Sequence, residues 1–142
     1  MAALLSTPAL AEALPKVPDS ELAVGGIRTG DSEASVVRRL GEPVRKAETD
    51  EIRLEYAGLT IWLDERVGVT DIKSIDPKYC TPSKVCVGMA LAQVRSVYGE
   101  VMIVQRGDGK VVEYIPSSGD PCWLQLALSG DSVTSVAVRC QP

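Results

Sequence analysis

The stretch "VVRRLGEP", Val36–Pro43, decides how the chain is read, because a second stretch, "VRSVYGEV", Val94–Val101, repeats its plan. In the first, Val36, Val37 and Leu40 fall on one helical face, and Gly41 followed by Pro43 ends the helix. In the second, Leu91, Val94 and Tyr98 form the apolar face and Gly99 stands where Gly41 stood. Placing Gly30 over Gly88 aligns Asp50 with Asp108 and Glu55-Tyr56 with Glu113-Tyr114 without a gap. A short insertion in "IPSSGDP" then puts Trp62-Leu63 over Trp123-Leu124. The pattern predicts a unit written twice.

Within each unit the order reads helix, then three strands. Asp31 or Ser32 caps the first helix, and strands follow near 51–56, 59–64 and 69–75. "EIRLEY" and "LTIWLD" alternate apolar and polar residues, the period of a sheet with one buried face. The second unit offers a helix near 90–98 and strands near 110–115, 122–129 and 132–140, with Ala90 a weaker cap. Helices this short are unstable alone and must dock on the sheet. The expected fold class is α+β: two tandem helix-plus-three/four-strand repeats, helices packed on one face of a mostly antiparallel sheet. Residues 24–79 and 80–142 are the two units, forming one compact domain.

Composition narrows the function. The chain has 142 residues, a formal charge of -4 and no histidine. Its basic residues are scattered, which gives no footprint for nucleic acid or an anionic membrane. Without histidine, the commonest general base and metal ligand are missing. Residues 1–11, "MAALLSTPALA", end in the small-x-small pattern read by a signal peptidase and are taken as a truncated signal peptide. Residues 12–23 then form a Pro-interrupted, flexible leader. No run reaches the roughly 20 apolar residues of a membrane span.

Four cysteines in an exported chain predict two disulfides. The last hairpin turns around Asp131, and Cys122 and Cys140 lie equally far from it, so they should oppose each other across two strands. Cys80 and Cys86 then pair by elimination and pin the connector "YCTPSKVC". A zinc site would need closer ligand spacings than these. The expected metal set is none, and so is the cofactor set.

No Ser-x-x-Lys or Gly-x-Ser-x-Gly motif is present, and "GDGK", 107–110, reads as a turn rather than a phosphate loop. The expected catalytic set is therefore none, and the protein is read as a non-enzyme. Strand alternation sends Trp62 and Trp123 to the face away from the helices. The hairpin register places Trp123 opposite Arg139, and the repeat maps that pair onto Trp62 and Lys78. One reading makes each Trp a cover for an otherwise bare sheet, held by cation–π contact. The other makes Trp62, Trp123, Arg139, Lys78, Arg53 and Glu55 an open surface for a protein partner.

"IRTGDSEASVVRRLGEP", 27–43, resembles the G-x-S/T-x-x-x-V-x-x-x-L-G-x-P element of SmpA/OmlA-type outer-membrane assembly lipoproteins. The tandem plan with aromatic-bearing strands is similar to the beta-lactamase inhibitor protein fold. "DPKYCTPSKVCVGMALAQVRSVYGE", 76–100, resembles the joint in tandem bacterial extracytoplasmic proteins. The resemblance implies a non-enzymatic binding module outside the cytoplasm, an enzyme inhibitor or an envelope-assembly accessory. The rival from another class is a small-ligand carrier or enzyme with its site between the repeats.

Overall fold

The computed structural model describes residues 14–141. The signal-peptide reading of residues 1–11 lies outside them. The chain runs β1 (Lys16–Val17), a 3₁₀ turn (Asp19–Glu21), β2 (Ala23–Val24), β3 (Ile27–Arg28), α1 (Glu33–Leu40), β4 (Arg45–Glu48), β5 (Ile52–Tyr56), β6 (Leu59–Asp64) and β7 (Gly68–Ser74). It continues with α2 (Leu91–Tyr98), β8 (Val104–Arg106), β9 (Gly109–Pro116), β10 (Cys122–Ser129) and β11 (Ser132–Cys140).

The helices form where capping and apolar spacing place them. Ser32 accepts a hydrogen bond from the Ser35 amide at 3.1 Å, which satisfies one of the orphan donors of α1. At α2 the capping position is Ala90, and the Gln93 side chain substitutes by accepting from the Ala90 amide at 3.2 Å. Each helix is seated on a hairpin by its preceding backbone: Gly30 N–H donates to Val69 O at 2.8 Å, and Gly88 N–H to Val133 O at 2.8 Å. Val36, Leu91 and Val94 are buried there, each worth about 1.5 to 3 kcal/mol of apolar burial. The tyrosine of each Glu-Tyr pair reaches back to a helix end, Tyr56 Oη to Gly41 O at 2.8 Å and Tyr114 Oη to Gly99 O at 2.9 Å.

These single contacts recur, but the sheet does not divide into two helix-plus-strand repeats, and the expected fold class is corrected. The strands join in one mixed nine-stranded sheet, ordered β1-β9-β10-β11-β7-β6-β5-β4, with β8 also on β9. β2 and β3 form a separate two-stranded ribbon. The physical cause is the β7–β11 pairing, Val136 opposite Ser74 and Val138 opposite Ile72, which continues the hydrogen-bond ladder without a break. Its lower face carries one buried cluster, from Leu54, Ile61 and Ile72 through Val138 and Leu124 to Tyr114.

The flexible leader is corrected as well. Lys16 and Val17 pair in parallel with Ile115 and Pro116, and Val17 is buried. Glu21 accepts from Ser83 Oγ at 2.8 Å and from Tyr98 Oη at 2.6 Å. Proline-rich sequence hid a segment that is held by the sheet edge and by a buried carboxylate. β4 and β8 were not expected either, since "RKAE" and "VQR" carry no apolar alternation.

Both disulfides form as expected, Cys80–Cys86 and Cys122–Cys140. The second closes the β10–β11 hairpin, where Cys122 faces Cys140 and Trp123 faces Arg139. A bulge between Ala127 and Leu128 shifts the register by one residue on the way to the turn. Among the described residues no helix is long and apolar enough to cross a membrane. Two disulfides belong to an oxidising compartment, so the protein is secreted or periplasmic.

Candidate functional site

The face of the sheet opposite the buried cluster is built from the alternate residues of seven strands, β4 to β7 and β9 to β11. One row crosses it as Arg53, Trp62 and Asp71, from the β5–β6 and β6–β7 registers. It continues through Arg139, whose Nε lies 3.6 Å from Asp71 Oδ2, to Trp123. A neighbouring row runs Arg45, Glu55, Thr60, Lys73, Ala137, Gln125 and Glu113. Both tryptophans are half-buried on this face. They stand three strands apart, about 14 Å at the usual strand spacing.

The two tryptophans differ in their surroundings. Trp123 donates its Nε1–H to Glu113 Oε2 at 3.2 Å, and Gln125 donates to the same oxygen at 2.8 Å. Arg106 Nη2 completes the cluster with Glu113 Oε1 at 2.7 Å. The Glu113 side chain is only 3% exposed. Burial pushes its carboxyl up, but the bonds from Arg106, Gln125 and Trp123 outweigh this and hold it below the usual carboxylate range. A carboxylate saturated in this way stays charged at neutral pH and is not poised to take a proton from a substrate. On the opposite, buried face, burial pushes the Tyr114 phenol up to about 12.

Trp62 borders a shallow hollow of about 250 Å³ with Glu51, Asp71 and Arg139. Trp123 lines a larger open groove of about 670 Å³, whose apolar side is Leu14, Ile115 and Pro121 and whose polar side is Arg106, Glu113 and Gln125. Among the described residues no group of three His, Cys, Asp or Glu side chains gathers to hold a metal ion.

Of the residues singled out in the sequence, Trp62, Trp123, Arg139, Arg53 and Glu55 share the open face. Arg53 Nε approaches Glu55 Oε2 at 2.8 Å, and Arg45 Nη2 approaches Glu55 Oε1 at 2.9 Å. Lys78 does not belong with them, and its pairing with Trp62 is corrected. The β6–β7 hairpin turns earlier than its β10–β11 counterpart, so Trp62 faces Asp71 and β7 ends at Ser74. Lys78 lies beyond that strand, with Nζ 5.1 Å from the centre of the Tyr79 ring. Arg139 turns its guanidinium toward Asp71. Glu113, paired with Glu55 in the repeat and read as structural, and Gln125, on the Trp123 face, are singled out by the sequence, but the cluster they make with Arg106 is not. The available signal was a single charge inside "VVEYIP", 111–116, a run otherwise without charge on either face.

No family model matches the chain, and no curated protein matches it. Its fold is similar to that of three solved structures. One is an extracellular protein containing an SCP domain from Bacillus anthracis, at 12% identity and TM-score 0.56, covering 80% of this chain and 44% of that one. Another is a DUF4309 family protein from Bacillus subtilis, at 12% identity and TM-score 0.54, covering 82% and 83%. The third is a cysteine-rich secretory protein from Staphylococcus aureus, at 10% identity and TM-score 0.58, covering 89% and 47%. The chain spans under half the length of the first and third. This likeness corrects the expected resemblance to SmpA/OmlA-type lipoproteins and to the beta-lactamase inhibitor protein. At these identities it concerns the fold alone. The disulfides place the protein outside the cytoplasm, secreted or periplasmic, and the fold gives it one open-faced sheet.

Proposed function

We propose that this is a non-enzymatic binding module that takes a protein partner on the uncovered sheet face. One observation carries the reading: Trp62 and Trp123 stand half-exposed at the two ends of the Asp71–Arg139 pair, on a face that none of the described helices covers. Trp and Arg are the residue types that most often anchor protein interfaces, and Ala137 in the adjoining row, with Ala127 and Ser135 one row further along β10 and β11, leaves room beside the tryptophans for a partner's own side chains. The charged periphery, Arg45, Arg53 and Glu55, is then the polar rim that sets orientation and association rate. An enzyme to be inhibited or an envelope component would both fit such a surface.

The test is capture from an envelope extract by the wild type and by a Trp62→Ala/Trp123→Ala double variant. Partners held by the wild type are expected to be lost by the double variant. Equal recovery by both sinks the reading. A small-ligand reading is favoured by one observation, the groove beside Trp123, whose volume of about 670 Å³ falls in the range of ligand sites. Under that reading Trp123→Ala alone abolishes binding and Trp62→Ala changes nothing.

A further inference from the structure

The two ends of the large sheet are protected unequally. At one end β4 carries Arg45, Lys46 and Glu48, and Lys46 Nζ bonds Glu33 at 2.8 Å and Glu48 at 2.9 Å. Charged, short edge strands of this kind discourage pairing with another chain. At the other end β9 is covered in part by β1, at Ile115 and Pro116, and in part by β8, at Gly109 to Val111. β8 itself pairs only with β9, so its outer edge has no strand partner among the described residues.

The segment leading into β8 is apolar and exposed. Met102 is 65% and Ile103 42% exposed, and Val97, on the last turn of α2, is 42% exposed. Among the described residues Met102 and Ile103 make no backbone hydrogen bond to another segment. The segment is nonetheless held in place, because Val101 is buried and Arg95 Nη2 donates to Val101 O at 2.9 Å.

Its sequence, Glu100-Val-Met-Ile-Val-Gln-Arg106, is complementary to itself when reversed. An antiparallel pair centred on Ile103 sets Ile103 against Ile103 of the second copy and Met102 against Val104 of the second copy. Glu100 then faces Arg106 of the second copy at both ends. The Glu100 side chain is 90% exposed with only a loose 3.6 Å approach to Arg95, and Arg106 is 57% exposed. Arg106 spends Nη2, and a longer contact from Nε, on Glu113, which leaves other guanidinium donors for a second carboxylate. We propose that residues 100–106 form the interface through which two copies of this chain associate, as a two-fold antiparallel strand pair that continues the sheet of one copy into the other. The apolar centre buries Met102 and Ile103, and the two Glu100–Arg106 pairs fix the register.

Sedimentation of the wild type from micromolar to submillimolar concentration is expected to show a reversible monomer–dimer equilibrium. Ile103→Glu sets two carboxylates against each other on the two-fold axis and is expected to weaken association by about 100-fold or more. Glu100→Arg is expected to weaken it by about 10-fold at low salt, with part of the loss recovered as salt rises. Ile103→Cys adds a lone thiol to a chain with no free cysteine among its described residues, and it is expected to yield a covalent dimer on oxidation. Since position 103 is exposed, thermal melts of the variants at a concentration low enough for all to be monomeric should match the wild type and exclude a folding defect. A wild type that stays monomeric throughout, or an Ile103→Glu variant that associates as tightly as the wild type, overturns the proposal. So does loss of self-association in the Trp62→Ala/Trp123→Ala variant, which would move the interface to the open face.

Discussion

The Tyr98 hydroxyl donates to Glu21 Oε1 at 2.6 Å, joining the end of α2 to the 3₁₀ turn across 77 positions of chain. The same hydroxyl oxygen lies 2.7 Å from Thr81 Oγ1, and Ser83 gives Glu21 two further bonds, from N at 3.1 Å and Oγ at 2.8 Å. Burial and the Glu21 bond together push the Tyr98 phenol far above its ordinary range. The N-terminal segment is therefore fastened to the Cys80–Cys86 loop through one carboxylate.

Tyr98→Phe removes the shortest of these bonds and leaves a buried carboxylate oxygen short of a donor. It is expected to cost about 1 to 3 kcal/mol in urea unfolding. Amide exchange should quicken in residues 14–24 before it does in β10 and β11. Uniform loss of protection across the sheet would contradict a fastening role.

Glu113 gives the protein a defined acid sensitivity. Its folded-state carboxyl lies below the unfolded value, so its contribution is fully present above the ordinary carboxylate range. That contribution is lost as pH falls through the lowered folded-state value. Glu113→Gln should be less stable than the wild type at pH 7, by about 1 to 3 kcal/mol, and the gap should close toward the acid end of the titration. A gap independent of pH would show that packing, and not charge, is what Glu113 provides.

Gly68 and Gly119 both adopt a positive φ, 87° and 83°, but their surroundings differ. A Cβ on Gly68 would sit 2.6 Å from Asp31 O and 2.7 Å from Gly30 O, backbone atoms that seat α1 on β7. A Cβ on Gly119 would meet nothing within 4 Å. Gly119→Ala should cost only the backbone strain of about 1 kcal/mol, and Gly68→Ala distinctly more. Equal melting temperatures for the two variants would refute the close approach.

The disulfides should rank by loop length. Cys122 and Cys140 are 18 residues apart and Cys80 and Cys86 are 6 apart. In the chain-entropy account, replacing the first pair with serine should lower stability by about 3 kcal/mol and the second by about 2 kcal/mol. Denaturant titration of the two double variants checks the order.

Much of the interior was legible because it follows from periodicity. Alternation in "EIRLEY" and "LTIWLD" located β5 and β6, put Trp62 on the open face, and left Leu54 and Ile61 buried. Counting from Asp131 opposed Cys122 to Cys140 and Trp123 to Arg139. That count held because the bulge at Ala127 adds the one residue that a two-residue turn at Gly130–Asp131 lacks. What stayed hidden depends on distant partners. Nothing in β7 or β11 marks them as neighbours, and their pairing is what turns two expected units into one sheet. β4 and β8 are edge strands whose side chains answer to solvent, so no pattern marks them. Mapping Lys78 onto the Arg139 position failed because equal spacing in sequence does not survive a change in hairpin length.

The β7–β11 seam also orders events in time. Its partners, Ile72 with Val138 and Ser74 with Val136, lie at the middle of the sheet although roughly 60 positions or more of chain separate β7 from β11 at this pairing. Hairpins β5–β6–β7 and β9–β10–β11 can zip locally and quickly, but the sheet closes only after the loop between them is drawn shut. Until β11 arrives, β7 keeps an open edge and the buried cluster lacks half of its side chains. For a chain exported before it folds, the topology therefore predicts that local hairpins form on either side first and that the two halves become one rigid sheet only when the central seam closes.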